Sequence, residues 1–336
     1  LTNNLGLQLK SEKGSNATLI ILNHTRFLYA NPEMGYYSPH KIAGFTIVNG
    51  FGKDSDYKHG GSMLILNVDH TVELIDLVFK HNRVQGEASG GAVAIARGKG
   101  PFLFRGCVFD SNQATGSPFG TGGALAVLDN VVLQLENVVF HNNTGDGDGG
   151  ALSVSNAFAG VRGKRSSVKV SRSAFSWNAA RDGKGGAIVV EESDLEIDDT
   201  RVIGNAAKSG GAVSLSRSRL ALQRSRFEKN VAEEKGGAIY AGGAAVVATN
   251  TNFTENVART ESGGVLLVEY CAVELEAITS KENRALQGDG GAIAATMQSS
   301  VLVRSSAWSM DAAPNGRGGS IHIDEGNALD IFDTTF

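Results

Sequence analysis

One segment, Gly185-Gly186-Ala187-Ile188-Val189, recurs along the chain as a pair of glycines, in most copies followed by alanine and an aliphatic strand. The pairs that recur at near-regular intervals begin at Gly60, Gly90, Gly122, Gly149, Gly185, Gly210, Gly236, Gly263, Gly290 and Gly318. Their spacing runs from 25 residues, between Gly185 and Gly210, to 36 residues, between Gly149 and Gly185. Self-similarity at such a period is the signature of a solenoid, in which each repeat packs only on its neighbours.

A second motif, Phe-x-x-Asn, lies shortly before most of these pairs. Its phenylalanines are Phe79, Phe109, Phe140, Phe175, Phe227 and Phe253, and we predict that they form a stack in the core. The asparagines are Asn82, Asn112, Asn143, Asn178, Asn205, Asn230, Asn256 and Asn283. We predict a structural ladder rather than a ligand-binding track. The side-chain amide of a stacked Asn can hydrogen-bond backbone groups of its turn and the Asn of the next coil. These hydrogen bonds offset the free-energy cost of removing the amide from water.

The residues between the two motifs alternate with a period of two, which is typical of strands, and no stretch has a helical period. A unit of about 27 residues with two or three short strands indicates an all-β, right-handed parallel β-helix. We expect about ten to twelve coils. Residues 1–50 are predicted to form an irregular first segment that leads into the solenoid. Residues 51–336 are predicted to hold the β-helix repeats, truncated at a repeat boundary.

Composition and charge limit the classes of partner that we expect for this chain. The chain has 31 Lys and Arg against 35 Asp and Glu, a net charge of −4 with both signs interspersed, which makes nucleic acid an unexpected partner. No apolar run has the roughly 20 residues of a membrane span in this fragment. The two cysteines, Cys107 and Cys271, belong to coils too far apart for a disulfide. Because the chain begins at Leu1 and stops at Phe336, we expect it to be a piece of a larger protein.

The two motifs together, over about residues 60–320, resemble the repeats of the polymorphic outer-membrane proteins of chlamydiae. They are also similar to repeats of other secreted, pectin-lyase-like β-helix surface proteins. The surface-exposed regions of the chlamydial proteins are parallel β-helices. The resemblance therefore implies an extracellular or cell-surface location and an adhesive or architectural role.

An acidic cluster, Asp194, Glu196, Asp198 and Asp199, raises the alternative of a polysaccharide lyase, epimerase or glycoside hydrolase. Alignment of the coils on the Phe position instead places Asp194 beside Arg219 and Glu196 beside Lys169. The same alignment pairs Arg105 with Glu136 and Glu276 with Arg304 in other coils. Such pairs are typical of a solvated strand face. We therefore predict no catalytic residue. The enzyme remains the alternative, and a non-catalytic carbohydrate-binding module lies between the two.

No cofactor or metal is predicted, because Asp146, Asp148 and Asp289 lack the Gly-rich ladder of calcium-binding β-rolls. The outward side of the Gly-Gly strand is nearly uncharged, and we predict a flat interface there at Ala126, Ser153, Val189, Ser214, Tyr240 and Leu267. Its expected partners are other protein chains or segments of the same larger protein, with surface glycans as a further class. Four N-glycosylation sequons occur, at Asn16, Asn23, Asn142 and Asn252. Asn252 is predicted to point outward and Asn142 to lie on a turn, so both could carry a glycan.

Overall fold

The computed structural model describes residues 8–23, 25–36, 38–52, 59–117, 119–156 and 165–336. These residues wind into a parallel β-solenoid of about 11 turns, which confirms the predicted fold class. Four sheets of 12, 11, 11 and 9 strands run along the solenoid. One turn contains Ile188–Glu191, Asp194–Asp198, Arg201–Ile203 and Ala206–Ala207, and each of these strands belongs to a different sheet, here named I to IV in that order.

Sheets I and II carry the two inward faces that alternate in the sequence. Sheet I contains Leu28–Ala30 and the ten strands that follow the glycine pairs: Met63–Leu66, Val93–Ala96, Leu125–Leu128, Leu152–Ser155, Ile188–Glu191, Val213–Ser216, Ile239–Gly242, Leu266–Glu269, Ile293–Thr296 and Ile321–Ile323. Sheet II contains Gln8–Lys10, Lys41–Ala43, Val72–Ile75, Pro101–Arg105, Val132–Glu136, Ser167–Ser171, Asp194–Asp198, Arg219–Gln223, Ala245–Thr249, Ala272–Glu276, Ser300–Arg304 and Ala328–Phe332.

Sheets III and IV flank the asparagine column. Sheet III contains Leu19–Ile21, Thr46–Val48, Val78–Lys80, Val108–Asp110, Val139–His141, Ala174–Ser176, Arg201–Ile203, Arg226–Glu228, Asn252–Thr254, Thr279–Lys281 and Ala307–Ser309. Sheet IV contains Phe51–Gly52, Arg83–Gln85, Gln113–Thr115, Thr144–Gly145, Ala179–Ala180, Ala206–Ala207, Val231–Ala232, Val257–Ala258 and Arg284–Ala285. We predicted two or three strands in each coil, whereas these coils have four. Most strands of sheet IV have only two residues, too few for an alternating pattern to identify them.

The region predicted as an irregular first segment, residues 1–50, contributes strands to three sheets. Gln8–Lys10 pairs with Lys41–Ala43 in sheet II, and Leu19–Ile21 pairs with Thr46–Val48 in sheet III. Between them, Pro32–Met34 forms a single 3-10 turn. Residues 1–7 of this segment lie outside the described residues. No helix within the described ranges has the length and apolar character needed to cross a lipid bilayer.

The phenylalanine column forms a ring stack inside the solenoid. The ring centroids of Phe79, Phe109, Phe140 and Phe175 are 4.8, 4.7 and 4.6 Å apart in succession, and all four side chains are fully buried. These distances match the spacing of neighbouring strands, about 4.8 Å, so the backbone ladder itself brings the rings into contact. Val202 interrupts the stack, which resumes with Phe227 and Phe253.

Candidate functional site

The eight motif asparagines lie in one buried column beside the ring stack. At Asn143, Nδ2 donates to Oδ1 of Asn178 at 3.0 Å and to the carbonyl oxygen of Phe109 at 2.9 Å. Its Oδ1 accepts hydrogen bonds from the backbone N–H and Nδ2 of Asn112, both at 3.0 Å. Both amide hydrogens and both lone pairs are thus used, which leaves this side chain no free group for a ligand.

An aspartate replaces asparagine at the last position of this column. Oδ1 of Asp311 accepts hydrogen bonds from the backbone N–H and Nδ2 of Asn283, both at 2.9 Å. Its Oδ2 accepts a hydrogen bond from the Ser280 hydroxyl at 2.8 Å. Burial raises the pKa of Asp311 above its ordinary range, and these hydrogen bonds offset the rise only in part. A carboxylate therefore fits this position less well than an amide.

Asp194, Glu196 and Asp198 of the acidic cluster lie on the outer face of sheet II, in the register predicted from the sequence, and Asp199 follows the end of that strand. The strand pairing aligns Asp194 with Arg219, Lys169 with Glu196, Arg105 with Glu136, and Glu276 with Arg304. Ion pairs join Lys169 to Glu196 at 2.7 Å, Arg224 to Asp198 at 2.6 Å, Arg105 to Glu136 at 3.3 Å and Arg165 to Asp194 at 3.4 Å. Each of these carboxylates has a cation from another coil beside it. The arrangement favours a charge-paired surface over a set of acids converging on a substrate.

The aspartates considered as calcium ligands form hydrogen bonds in turns, and the Cys107 thiol lies in the core. Asp146 accepts a hydrogen bond from the Gly116 backbone at 2.9 Å, and Asp148 accepts one from the Lys184 backbone at 2.7 Å. No group of three or more His, Cys, Asp or Glu side chains in the described part of the chain is placed to hold a metal ion. Burial raises the pKa of the Cys107 thiol to about 12, so this thiol stays protonated at neutral pH.

The predicted flat interface on sheet I is not an exposed surface, so this expectation was wrong. Ala126 is fully buried, and Ser153, Val189, Ser214 and Leu267 are 3 to 5% exposed. The first glycine of each pair is the cause. Gly149 has a φ of +71°, and a Cβ added there would lie 2.9 Å from Val189 Cγ1. The Gly-Gly turns fold back over the outward side of the strands, so the small residues fit beneath a tight turn.

Tyr240, the half-buried member of the predicted interface, is part of a charged cluster. Its hydroxyl donates to Oε2 of Glu269 at 2.6 Å, and Nζ of Lys235 donates to Oε1 of the same carboxylate at 2.8 Å. The ammonium groups of Lys184 and Lys235 each lie 5.6 Å from the centre of the Tyr240 ring. Burial opposes ionisation of Glu269, but the hydrogen bonds from Lys235 and Tyr240 outweigh it and lower the pKa of this carboxyl.

The pKa of Tyr240 is raised, first by burial and then by its hydrogen bond to Glu269. A tyrosine with a raised pKa and a glutamate with a lowered one are poor general bases, because neither is poised near neutral pH. The cluster instead holds Lys235 over the outward side of sheet I. A partner that approached sheet I at Tyr240 would therefore meet the charged side chains of Lys184, Lys235 and Glu269 rather than a flat apolar patch.

All four sequon asparagines are exposed. Asn16 and Asn23 lie in the first described coils, Asn142 at a turn with a φ of +54°, and Asn252 at the start of a sheet III strand. Asn142 Nδ2 also donates to the Ser111 hydroxyl at 3.2 Å. Glycosylation itself remains a prediction for these positions.

Trp177 is a surface feature that the sequence interpretation passed over. It directly precedes Asn178 of the buried column, and it is 59% exposed. Its counterpart in the next coil is Gly204, since the strands that precede them pair Ser176 with Ile203. A Trp and a Gly at equivalent positions of consecutive coils are visible in the sequence, and this pattern could have identified Trp177 as a candidate surface site.

The sequence of residues 120–306 matches the model of a protein family described as the right-handed beta helix region. The match covers more than half of the chain and includes most of the paired motifs. This chain belongs to the right-handed beta-helix family. The family confirms the handedness that parallel crossovers predicted. Among relatives, 126 residues are 32% identical to the probable autotransporter YfaL of Escherichia coli strain K12. That match covers 36% of this chain and 10% of YfaL, so this chain aligns with about a tenth of its relative.

Solved structures similar to this β-helix include crystal structures of the periplasmic alginate epimerase AlgG. One aligns over 89% of this chain and 78% of AlgG, with 10% sequence identity and a TM-score of 0.28. A point mutant of AlgG aligns over 81% of this chain and 76% of its own, with 11% identity and a TM-score of 0.30. Scores this low carry no argument about what this chain does.

Proposed function

We propose that this chain is a non-enzymatic rod, secreted or displayed at the cell surface, that serves adhesion or the assembly of a surface structure. The observation that carries the proposal is how the repeat uses its polar groups. The side-chain amides of the buried asparagine column form their hydrogen bonds with groups of neighbouring coils. The outer carboxylates of sheet II lie beside lysine and arginine side chains. A regular, charge-paired surface on a solenoid suits display and contact.

The proposed location rests on two likenesses. The Escherichia coli relative bears the name of a probable autotransporter. The Gly-Gly and Phe-x-x-Asn motifs resemble repeats of chlamydial polymorphic outer-membrane proteins, whose β-helices are exposed on the cell surface. Both likenesses support a cell-envelope or secreted protein. The finer assignment to an adhesin or a surface-layer component is part of our proposal.

The proposed partners are other protein chains or segments of the same larger protein, together with surface glycans. Because the small residues of sheet I are buried, contacts on that side would involve the side chains that cover it, such as Lys184 and Lys235. Lys235 is ion-paired with Glu269 at 2.8 Å and lies 3.9 Å from Glu261, so this side presents charges of both signs, and contacts made by them would weaken as salt concentration rises.

The location is tested with an antibody raised against residues 165–336 and applied to intact and to permeabilised cells of the source organism. Equal labelling of both preparations is expected for a surface protein. Labelling that requires permeabilisation, with no protein in the medium, would contradict the proposed location.

The enzyme alternative is tested with the purified chain on alginate, pectate and neutral β-glucans. Unsaturated products are followed by ultraviolet absorbance, and shortened or epimerised products by mass spectrometry and NMR. No product is expected. Product formation that disappears in both Glu196→Gln and Asp194→Asn would replace the scaffold with a polysaccharide-modifying enzyme.

A further inference from the structure

The Trp177 indole lies flat on the solenoid, with one face against the backbone of the next coil. A Cβ added to Gly204 would lie 2.8 Å from Cε3, 2.8 Å from Cζ3 and 3.0 Å from Cδ2 of Trp177. Nearly equal distances to three atoms of the six-membered ring place that point over its face rather than at its edge. With one face against Gly204 and 59% of the side chain exposed, the opposite face is open to solvent.

Glycine at position 204 is what allows this placement. The equivalent residues of other coils are Asn142, Trp177, Lys229 and Glu255, which adopt positive φ angles between 54° and 57° without being glycine. The backbone conformation therefore does not by itself require glycine at position 204. The missing side chain instead opens the space that the indole fills, and the backbone N–H of Trp177 donates to the carbonyl oxygen of Ile203 at 3.1 Å.

The outward residues around the ring are polar or small apart from Ile203, which is half-buried and lies beside Ser176 in the strand pairing. On the sheet III side, Nδ1 of His141 lies 3.0 Å from the hydroxyl of Ser176. On the sheet IV side, the neighbouring outward residue of the next coil is Ala206, which is exposed. The exposed apolar area is therefore one Trp and a half-buried Ile, whereas a stable protein interface needs roughly 800 Å² from each partner.

Charge argues against a nucleic acid on this platform. Lys229 occupies the position equivalent to Trp177 and Gly204 in the following coil. Its ammonium nitrogen lies 3.4 Å from the Glu228 carboxylate and 3.9 Å from the Glu255 carboxylate. Glu228 also forms an ion pair with Arg226 at 2.7 Å. Binding of a single strand by base stacking requires a positively charged groove that follows the phosphates, and here Lys229 and Arg226 both lie beside carboxylates.

We propose that Trp177 is a carbohydrate-binding platform for β-linked hexopyranose units of an oligosaccharide. One face of such a pyranose presents C–H groups, whose partial positive charge suits the negative face of an indole. Its equatorial hydroxyls project at the rim, where Ser176, His141 and Lys229 offer hydrogen-bonding groups on rigid strand and turn positions. The proposal rests on the proposed surface function and specifies the glycans as one partner class.

The first test uses fluorescence, because the chain has only two tryptophans and the other, Trp308, is 4% exposed. Cellohexaose, laminarihexaose and N-acetylchitohexaose are titrated into the purified chain. With at least one of them we expect a saturable blue shift of the emission and a loss of acrylamide quenching. No saturable change with any of the three, up to about 10 mM and beyond the ~1 mM Kd of a weak site, would overturn the proposal.

The second test measures affinity by calorimetry in three variants. Trp177→Ala is expected to weaken binding at least about tenfold, and Gly204→Ala, which displaces the ring without removing it, by a similar factor. Tyr270→Ala is the matched control, since Tyr270 is 61% exposed with a φ of +57° but lies in another column. It should bind like the wild type.

Melting curves check that all three variants are folded. Unchanged binding in folded Trp177→Ala would refute the platform, as would an equal loss in Tyr270→Ala. Either failure leaves the labelling of intact cells unaffected, so loss of the platform and loss of the proposed surface function are distinguished.

Discussion

Removal of one amide from the buried column is expected to destabilise the solenoid strongly. Asn143→Ala deletes four hydrogen bonds, which involve Asn112, Asn178 and Phe109. Two buried donors of Asn112, its backbone N–H and one Nδ2 hydrogen, lose their acceptor. At about 1–3 kcal/mol for each unsatisfied buried donor, the expected loss is roughly 2–6 kcal/mol. That is a large part of the 5–15 kcal/mol typical of folded proteins.

The loss is measured by urea unfolding followed by circular dichroism, with Asn252→Ala as the matched control. Asn252 is the same residue type on the exposed face of sheet III, and its replacement should change stability by less than about 0.5 kcal/mol. Because a solenoid can unfold in sections, amide hydrogen exchange gives a local readout. The Asn112 amide should lose protection in Asn143→Ala. Equal stability of the two variants would refute the hydrogen-bond argument.

Three further predictions concern the core, the column end and the turns. Phe140→Ala should cost about 3–5 kcal/mol in melting experiments, and Glu136→Ala on the exposed face under about 1, so equal small losses would contradict the register. The raised pKa of Asp311 means that its contribution to stability is present at acidic pH and falls as pH rises through that pKa. Asp311→Asn should therefore be more stable than the wild type at pH 7, with the difference shrinking towards pH 4; a pH-independent difference would contradict the linkage. Gly237→Ala places a Cβ 2.1 Å from a carbonyl oxygen of the next coil and should destabilise, whereas Gly242→Ala, with no contact under 3.6 Å, should change the melting temperature little.

The sequence alone determined the repeat, the fold class and the register. Stacked coils place every copy of a motif in one column, so the period of two along each strand and the Phe-x-x-Asn spacing were enough to align neighbouring coils. The alignment of Lys169 with Glu196 and of Phe109 with Phe140 followed from this, and the strand pairing contains both. Local pattern specifies the structure here because each repeat contacts only the next.

The tertiary structure alone decided which outward residues reach solvent. Alternation correctly assigned Val189 and Leu267 to the outer side of sheet I, but it carried no information about the turns that cover them. That covering arises where the left-handed glycine of one coil meets the side chain of the next, as Gly149 meets Val189. The packing of the Trp177 indole on Gly204 likewise arises from a contact between consecutive coils. Exposure depends on contacts between coils in three dimensions, and a strand period reports only the direction in which a side chain leaves the backbone.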